Sequence, residues 1–94
     1  MRVFNRELLA EARRQHADAA TRLDAWLQEA EEADWTKPAD IKQDYASASF
    51  LAGNVVISNV KGNRYRLAVR IDYVRRWVLV VWFGTHAEYD RHRF

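Results

Sequence analysis

The spacing of hydrophobic residues changes halfway along the chain, and this change restricts the possible fold more than any other feature. Before residue 38 the hydrophobic residues recur every three or four positions, which is the spacing of one side of an α-helix. After residue 54 they form a β-branched run and then strict alternation, which is the spacing of β-strands. Helices followed by strands predict an α+β fold, and 94 residues are enough for a single domain, 1–94.

Two helices are predicted in the first half. Asn5 is the expected N-cap of the first helix, and the second helix is expected to begin near Asp18. Pro38 is expected to close this segment, with only a weak signal for a helical turn after it, over 40–45. The apolar sides of the two helices consist of Phe4, Leu8, Leu9 and Ala12, and of Ala20, Leu23, Trp26, Leu27, Ala30 and Ala33.

Strands are predicted over 55–60, 64–73 and 77–83, and 1–4 is a candidate for a further strand. A turn at Lys61-Gly62-Asn63 joins the first two strands into a hairpin. Along 64–73 the side chains alternate between two faces. One face carries Tyr65, Leu67, Val69 and Ile71, and the other carries Arg64, Arg66, Ala68, Arg70 and Asp72.

The two helices can cover only one face of a small sheet, and we expect them to pack on the apolar face of an antiparallel sheet. The opposite face would then be open and carry Arg64, Arg66 and Arg70. Alternate positions of a strand lie roughly 7 Å apart, comparable to the phosphate spacing along a single nucleic-acid strand. All four tryptophans, namely Trp26, Trp35, Trp77 and Trp82, are expected in the core rather than as platforms for bases.

Charge is distributed unevenly between the halves. Residues 1–50 hold seven Lys/Arg against ten Asp/Glu, a net of −3, whereas residues 51–94 hold eight against three, a net of +5. Seven of those eight later cations are arginine, which binds phosphate in a bidentate manner. The asymmetry favours a polyanionic partner, although an unevenly charged surface is the plainer interpretation. The absence of cysteine excludes disulfides and thiolate chemistry and suits the cytoplasm, and no apolar run predicts a membrane span.

Proton-transfer residues follow the last strand. Thr85 and Glu88 have the spacing of a capping box, so a helical turn is expected to begin there. His86 and Asp90, at i and i+4, would share one side of that turn beside Tyr89. Such groups next to arginines suit RNA cleavage, in which the 2′-OH attacks its own phosphate and the protein supplies acid, base and charge stabilisation. On spacing alone, a capped surface turn with a packed tyrosine is the preferred interpretation. Two ligands make a poor metal site, so neither metal nor cofactor is expected.

Two motifs resemble the HigB family of RelE-like toxins. They are the run over 57–67, Ile-Ser-Asn-Val-Lys-Gly-Asn-Arg-Tyr-Arg-Leu, and the run over 84–90, Gly-Thr-His-Ala-Glu-Tyr-Asp. The resemblance implies a β-α-α-β-β-β fold and a metal-independent endoribonuclease that cleaves mRNA, usually at the ribosome. It also implies inhibition by a cognate HigA-type antitoxin with a helix-turn-helix domain, through which the complex would bind operator DNA.

The resemblance also assigns roles to residues. Arg66 of the first motif would stabilise the phosphate, His86 and Tyr89 of the second would transfer protons, and Asp90 would orient the histidine. Which of His86 and Tyr89 is the acid and which the base stays open. Grip on RNA is predicted from the strand pattern and the charges, for Lys61, Arg64, Arg70 and Arg91.

Two other classes of protein fit the same composition. One is a non-catalytic nucleic-acid-binding module that uses the basic face of the sheet, and the other is a domain that docks an acidic helix of a partner protein. The residues that contact phosphates are of the same types in an enzyme and in a binding module, so they do not distinguish the two classes. The cluster of His86, Tyr89 and Asp90 separates them, because a binding module has no need of proton-transfer groups beside its arginines.

Overall fold

A computed structural model describes residues 1–92, and within them five strands and four α-helices follow one another along the chain. The first two helices cover one face of a single sheet. The strands are β1 (Arg2–Phe4), β2 (Ser49–Leu51), β3 (Val55–Val60), β4 (Tyr65–Asp72) and β5 (Trp77–Thr85). The helices are α1 (Arg6–Gln15), α2 (Ala20–Glu32), α3 (Pro38–Asp44) and α4 (His86–Arg91), with a 3₁₀ turn at Ala17–Ala19 before α2.

The sheet has the strand order β1-β5-β4-β3-β2, which confirms the predicted α+β class. Strands β2 to β5 are antiparallel to their neighbours, as expected. The sheet is nevertheless mixed, because β1 runs parallel to β5 and pairs Val3 with Val78. None of the described helices is long and apolar enough to cross a membrane.

The helix-covered face of the sheet, which we call the inner face, carries the main core. The predicted alternation of β4 is confirmed, since Leu67, Val69 and Ile71 are buried here against α1 and α2. Leu23 and Trp26 of α2 fill the space between the layers. Burying one such aliphatic or aromatic side chain stabilises the fold by about 1.5–3 kcal/mol, so this face supplies most of the stability.

Asn5 does not cap α1 with its side chain as predicted. Its backbone is left-handed (φ 66°), and its amide Nδ2 instead donates to the backbone oxygen of Val80 at 2.8 Å. Asparagine tolerates this backbone region better than most residues, so it can turn the chain from β1 into α1 while tying that turn to β5.

Two elements differ from the sequence expectation. Pro38 begins α3 rather than only closing the segment before it, because proline fits the first helical turn, where its missing N–H is not needed. Strand β2 was not predicted at all, since its three residues are exposed and show no alternation. Trp35 is in the core as expected, and its Nε1 donates to Oδ2 of Asp44 at 2.9 Å.

A β-bulge in β5 changes which face its later side chains occupy. The pairing with β4 is regular as far as Val69 with Val80 and resumes at Ala68 with Trp82, leaving Val81 as an extra residue. Trp82 therefore lies on the face away from α1 and α2, which we call the outer face, and Phe83 packs against the inner core. The expectation that all four tryptophans lie in the core is thus wrong for Trp82, which is half-buried over a small cluster on the outer face, and for Trp77, which is half-buried and belongs to neither cluster of buried residues.

Candidate nucleic-acid interface and its proton-transfer cluster

The turn after β5 forms as predicted. Thr85 Oγ1 accepts a hydrogen bond from the backbone N–H of Glu88 at 3.1 Å, and Glu88 Oε1 accepts one from the backbone N–H of Thr85 at 2.8 Å. The hydrogen bond from the Thr85 backbone lowers the pKa of the Glu88 carboxyl. This capping box starts α4 at His86 and holds the helix at the end of the sheet.

His86 lies between Arg66 and Asp90. Its Nδ1 is 2.7 Å from Nη2 of Arg66, and its Nε2 is 3.2 Å from Oδ2 of Asp90. An arginine N–H can only donate, so Nδ1 must be the unprotonated, accepting nitrogen. Nε2 then carries the proton and faces the carboxylate of Asp90, so the hydrogen bond from Arg66 fixes the tautomer of the ring. The structure thus brings together three of the four residues assigned to catalysis, by a hydrogen bond between Arg66 and His86 and an electrostatic contact between His86 and Asp90.

The guanidinium of Arg66 is held by the turn before its own strand. Nη1 donates to the backbone oxygens of Asn63 and Tyr65 at 3.3 and 3.2 Å, and Nη2 donates to Oδ1 of Asn63 at 2.9 Å. With Nδ1 of His86 as the fourth acceptor, both hydrogens of Nη1 and both hydrogens of Nη2 are engaged. To bind a phosphate with two hydrogen bonds, Arg66 must therefore break at least one of these hydrogen bonds. The sequence did not predict that Asn63 holds Arg66 in place. The only sequence feature that pointed to this role is its position three residues before the arginine.

Tyr89, the fourth catalytic candidate, lies on the same helix but packs against the sheet. Its ring centroid is 6.0 Å from that of Trp82, and it covers the small cluster of Val55, Ile57 and Ala68. The phenol is half-buried at the edge of the outer face.

The outer face is not the uniformly basic surface that the alternation predicted. Between Arg66 and Arg70 it holds a second apolar cluster, in which Val55, Ile57 and Ala68 are buried even though the large helices lie on the other side. The side chains that cover them are Val81, Trp82 and Tyr89.

Lys61 and Arg64 do not join Arg66 on the outer face. The strand begins one residue after Arg64, whose Nη1 is 3.0 Å from Oδ2 of Asp18. Lys61 donates to the backbone oxygen of Asp18, and Tyr65 OH donates to its Oδ1 at 2.6 Å. The hydrogen bond from Tyr65 lowers the pKa of the Asp18 carboxyl. Asp18, in the helical half of the chain, thus binds Lys61 and Arg64, both of which were predicted to bind RNA.

Arg70 and Arg91 are both exposed. Arg70 lies in β4 opposite Val55, on the outer face, and Arg91 is the last residue of α4. The cations on this side are therefore Arg66 beside His86, Arg70 further along the same strand and Arg91 on the helix. Within residues 1–92 no group of three His, Asp or Glu side chains is arranged to hold a metal ion.

Gly84 leaves room for the indole of Trp82. A Cβ at Gly84 would lie 2.6 Å from Cη2 and 2.7 Å from Cζ2 of that side chain, so only glycine fits. Gly84 is also the β5 partner of Arg66, which places the indole next to the proton-transfer cluster. The sequence predicted neither the space that Gly84 leaves for the indole nor its pairing with Arg66, because both depend on the bulge at Val81.

Comparison with individually curated proteins gives no significant match. A family model for HigB_toxin, described as the RelE-like toxic component of a toxin–antitoxin system, matches residues 19–92. The matched region includes helix α2, the four antiparallel strands β2 to β5 and helix α4. Both motifs that suggested the resemblance lie within it. The chain therefore belongs to the HigB_toxin family of RelE-like toxins from toxin–antitoxin systems.

Proposed function

We propose that this toxin is a metal-independent endoribonuclease that cleaves mRNA in the cytoplasm, on translating ribosomes. The observation that carries the proposal is the contact of His86 with both Arg66, by a hydrogen bond, and the carboxylate of Asp90, on the basic side of the molecule. Membership of the family implies an antitoxin partner. We further propose that this partner is a HigA-type helix-turn-helix protein, and that operator DNA is bound through it.

In the proposed reaction, the 2′-oxygen of one ribose forms a bond to the adjacent phosphorus and the bond from phosphorus to the 5′-oxygen breaks. The products are a 2′,3′-cyclic phosphate and a 5′-hydroxyl. One proton must leave the 2′-OH and one must reach the 5′-oxygen. Arginine N–H groups stabilise the extra negative charge of the transition state.

Arg66 and His86 work in sequence in this scheme. When Nη2 of Arg66 turns to the phosphate, it releases Nδ1 of His86, which is then free to accept the proton of the 2′-OH. Asp90, whose Oδ2 lies 3.2 Å from Nε2, stabilises the imidazolium that results. Tyr89 is placed on the same helix and is our candidate for protonating the 5′-oxygen. Arg70 and Arg91 contact the flanking RNA, whereas Lys61 and Arg64 can do so only by leaving Asp18.

The test combines toxicity with cleavage. Arg66→Ala and His86→Ala should each lower RNA cleavage in a purified translation reaction by about 100-fold or more, the usual range for a lost acid, base or charge stabiliser. Both should relieve growth arrest and still bind the antitoxin. The matched control is Arg13→Ala, which removes an exposed, ion-paired arginine from the helical side and should cleave normally.

The nature of the RNA ends distinguishes the mechanism from its alternatives. A 2′-deoxy substitution at the cut nucleotide should abolish cleavage, and the products should carry cyclic phosphate and 5′-hydroxyl ends. Binding of RNA without any cleavage by the wild-type protein would instead identify a non-catalytic module. Cleavage that survives both Arg66→Ala and His86→Ala would refute the assigned chemistry.

A further inference from the structure

A small apolar cavity lies on the outer face at some distance from His86. Its volume is about 230 Å³, and it is lined by Leu51, Ala52, Val55, Arg70 and Val81. Cavities for drug-sized ligands measure about 300–1,000 Å³, so this one suits a single flat ring system. The register explains its position, because Leu51, Val55 and Arg70 are directly opposed across β2, β3 and β4.

The wall and rim of the cavity differ in chemistry. Four of its lining residues are aliphatic, and the fifth, Arg70, is exposed at the rim. In the part of the chain that the structure describes, no carboxylate forms an ion pair with Arg70. A nucleobase has flat apolar faces and polar edges, and a guanidinium plane stacks on such a ring. The positive charge of Arg70 at the rim also attracts the phosphates on either side of a base. A neutral or cationic side chain of a protein partner would gain nothing from this charge.

The cavity and Arg66 are on the same strand. Arg70 is four residues beyond Arg66, which is about 13 Å at the rise of a β-strand. Arg66 pairs with Gly84 across β5 and Arg70 pairs with Leu79, so both point to the outer face. Because 13 Å is about two phosphate spacings, a base that enters the cavity belongs to a nucleotide about two positions from the one whose phosphate meets Arg66.

We propose that this cavity holds one base of the RNA near the cleaved bond and sets the base preference of the toxin, with Arg70 stacked over the base. The inference rests on the proposed function, since it requires that Arg66 meets the cleaved phosphate. It assigns Ala52, Val55, Val81 and Arg70 to specificity.

The experiment fills the cavity from its rim. Ala52 is exposed in the turn after β2, so Ala52→Met can fill the space without disturbing the core. Wild-type and variant proteins are added to a purified translation reaction programmed with mRNAs of randomised sequence, and the cut sites are mapped by sequencing. The wild type should prefer one base at a fixed position near the cut. Loss of stacking should reduce that preference about fivefold or more in Ala52→Met and in Arg70→Ala.

Ala10→Met is the matched control, because it places the same side chain at an exposed position of α1 and should keep the wild-type preference. A wild type that cuts without base preference, or variants that keep it unchanged, would overturn the base site alone. Variants that keep the preference but escape the antitoxin would show that a partner side chain fills the cavity, which also overturns it. A wild type that cuts no RNA would refute the proposed function, and the base site with it.

Discussion

Gly84→Ala is the substitution whose effect the structure defines most closely. The added methyl group would lie 2.6 Å from Cη2 and 2.7 Å from Cζ2 of Trp82, and 3.0 Å from Oε1 of Glu88. Ordinary contact begins near 3.4 Å, so the indole must retreat by the 0.8 Å difference between 3.4 and 2.6 Å. The indole also contacts Tyr89 and His92, whose ring centroids are 6.0 and 4.9 Å from its own, so its displacement disturbs these contacts.

Overpacking of this kind costs about 1–3 kcal/mol of the free energy of unfolding. For a domain of this size each kcal/mol lowers the melting temperature by about 4–8 °C. Thermal unfolding followed by circular dichroism should therefore show a clear decrease for Gly84→Ala. The toxicity of the variant should fall as well, and with it the proposed RNA cleavage, because the displaced indole lies beside Arg66 and α4.

A second variant tests the cause. Trp82→Phe removes the outer ring that carries Cη2 and Cζ2, so the double variant should be more stable than the sum of the two single effects by about 0.5–3 kcal/mol. The remaining cost would come from Glu88, whose carboxylate caps α4. Strict additivity, or a melting temperature for Gly84→Ala within about 2 °C of the wild type, would refute the steric account.

Two further predictions concern the ends of the site. Thr85→Ala removes the acceptor of the capping box and should cost about 0.5–2 kcal/mol in denaturant unfolding, and Thr85→Ser should restore it. Asp18→Asn should lower the melting temperature at neutral pH, because the carboxylate that binds Tyr65 and Arg64 is lost. The pKa of Asp18 is lowered in the folded protein, so its contribution is present above the ordinary value of about 3.9 and disappears as the pH falls through the folded value. The difference between wild type and Asp18→Asn should thus shrink towards pH 3, and a constant difference would contradict this origin.

Local patterns predicted the parts of the site that depend on neighbouring residues. The capping box of Thr85 and Glu88 formed as its spacing indicated, and so did the i, i+4 contact between His86 and Asp90. The alternation along β4 also placed Arg66 and Arg70 correctly on the outer face. These features follow from helix and strand geometry alone, which is why one sequence sufficed.

The contacts that sequence reasoning missed join residues distant in the chain. Arg64 turns to Asp18, which lies 46 positions earlier, because the turn before β4 passes through left-handed backbone at Lys61 and Gly62 and ends before the strand begins. No spacing rule connects two such positions. The cavity beside Arg70 was equally hidden, since it depends on the unpredicted strand β2.

The bulge at Val81 has a consequence for how this protein tolerates insertions and deletions. Removing Val81 would take out the extra residue, so Trp82 would follow Val80 in strict alternation and every later side chain of β5 would keep its face. Removing Phe83, which lies after the bulge, would instead move Gly84 and Thr85 to the opposite faces. Loss of the Phe83 codon should therefore abolish toxicity, whereas loss of the Val81 codon should reduce it less. A codon removed from the exposed turn at Gly53 should be far less harmful, because no alternating pattern runs through it. The face that each side chain of β5 occupies thus depends on the number of residues in the strand as much as on their identity.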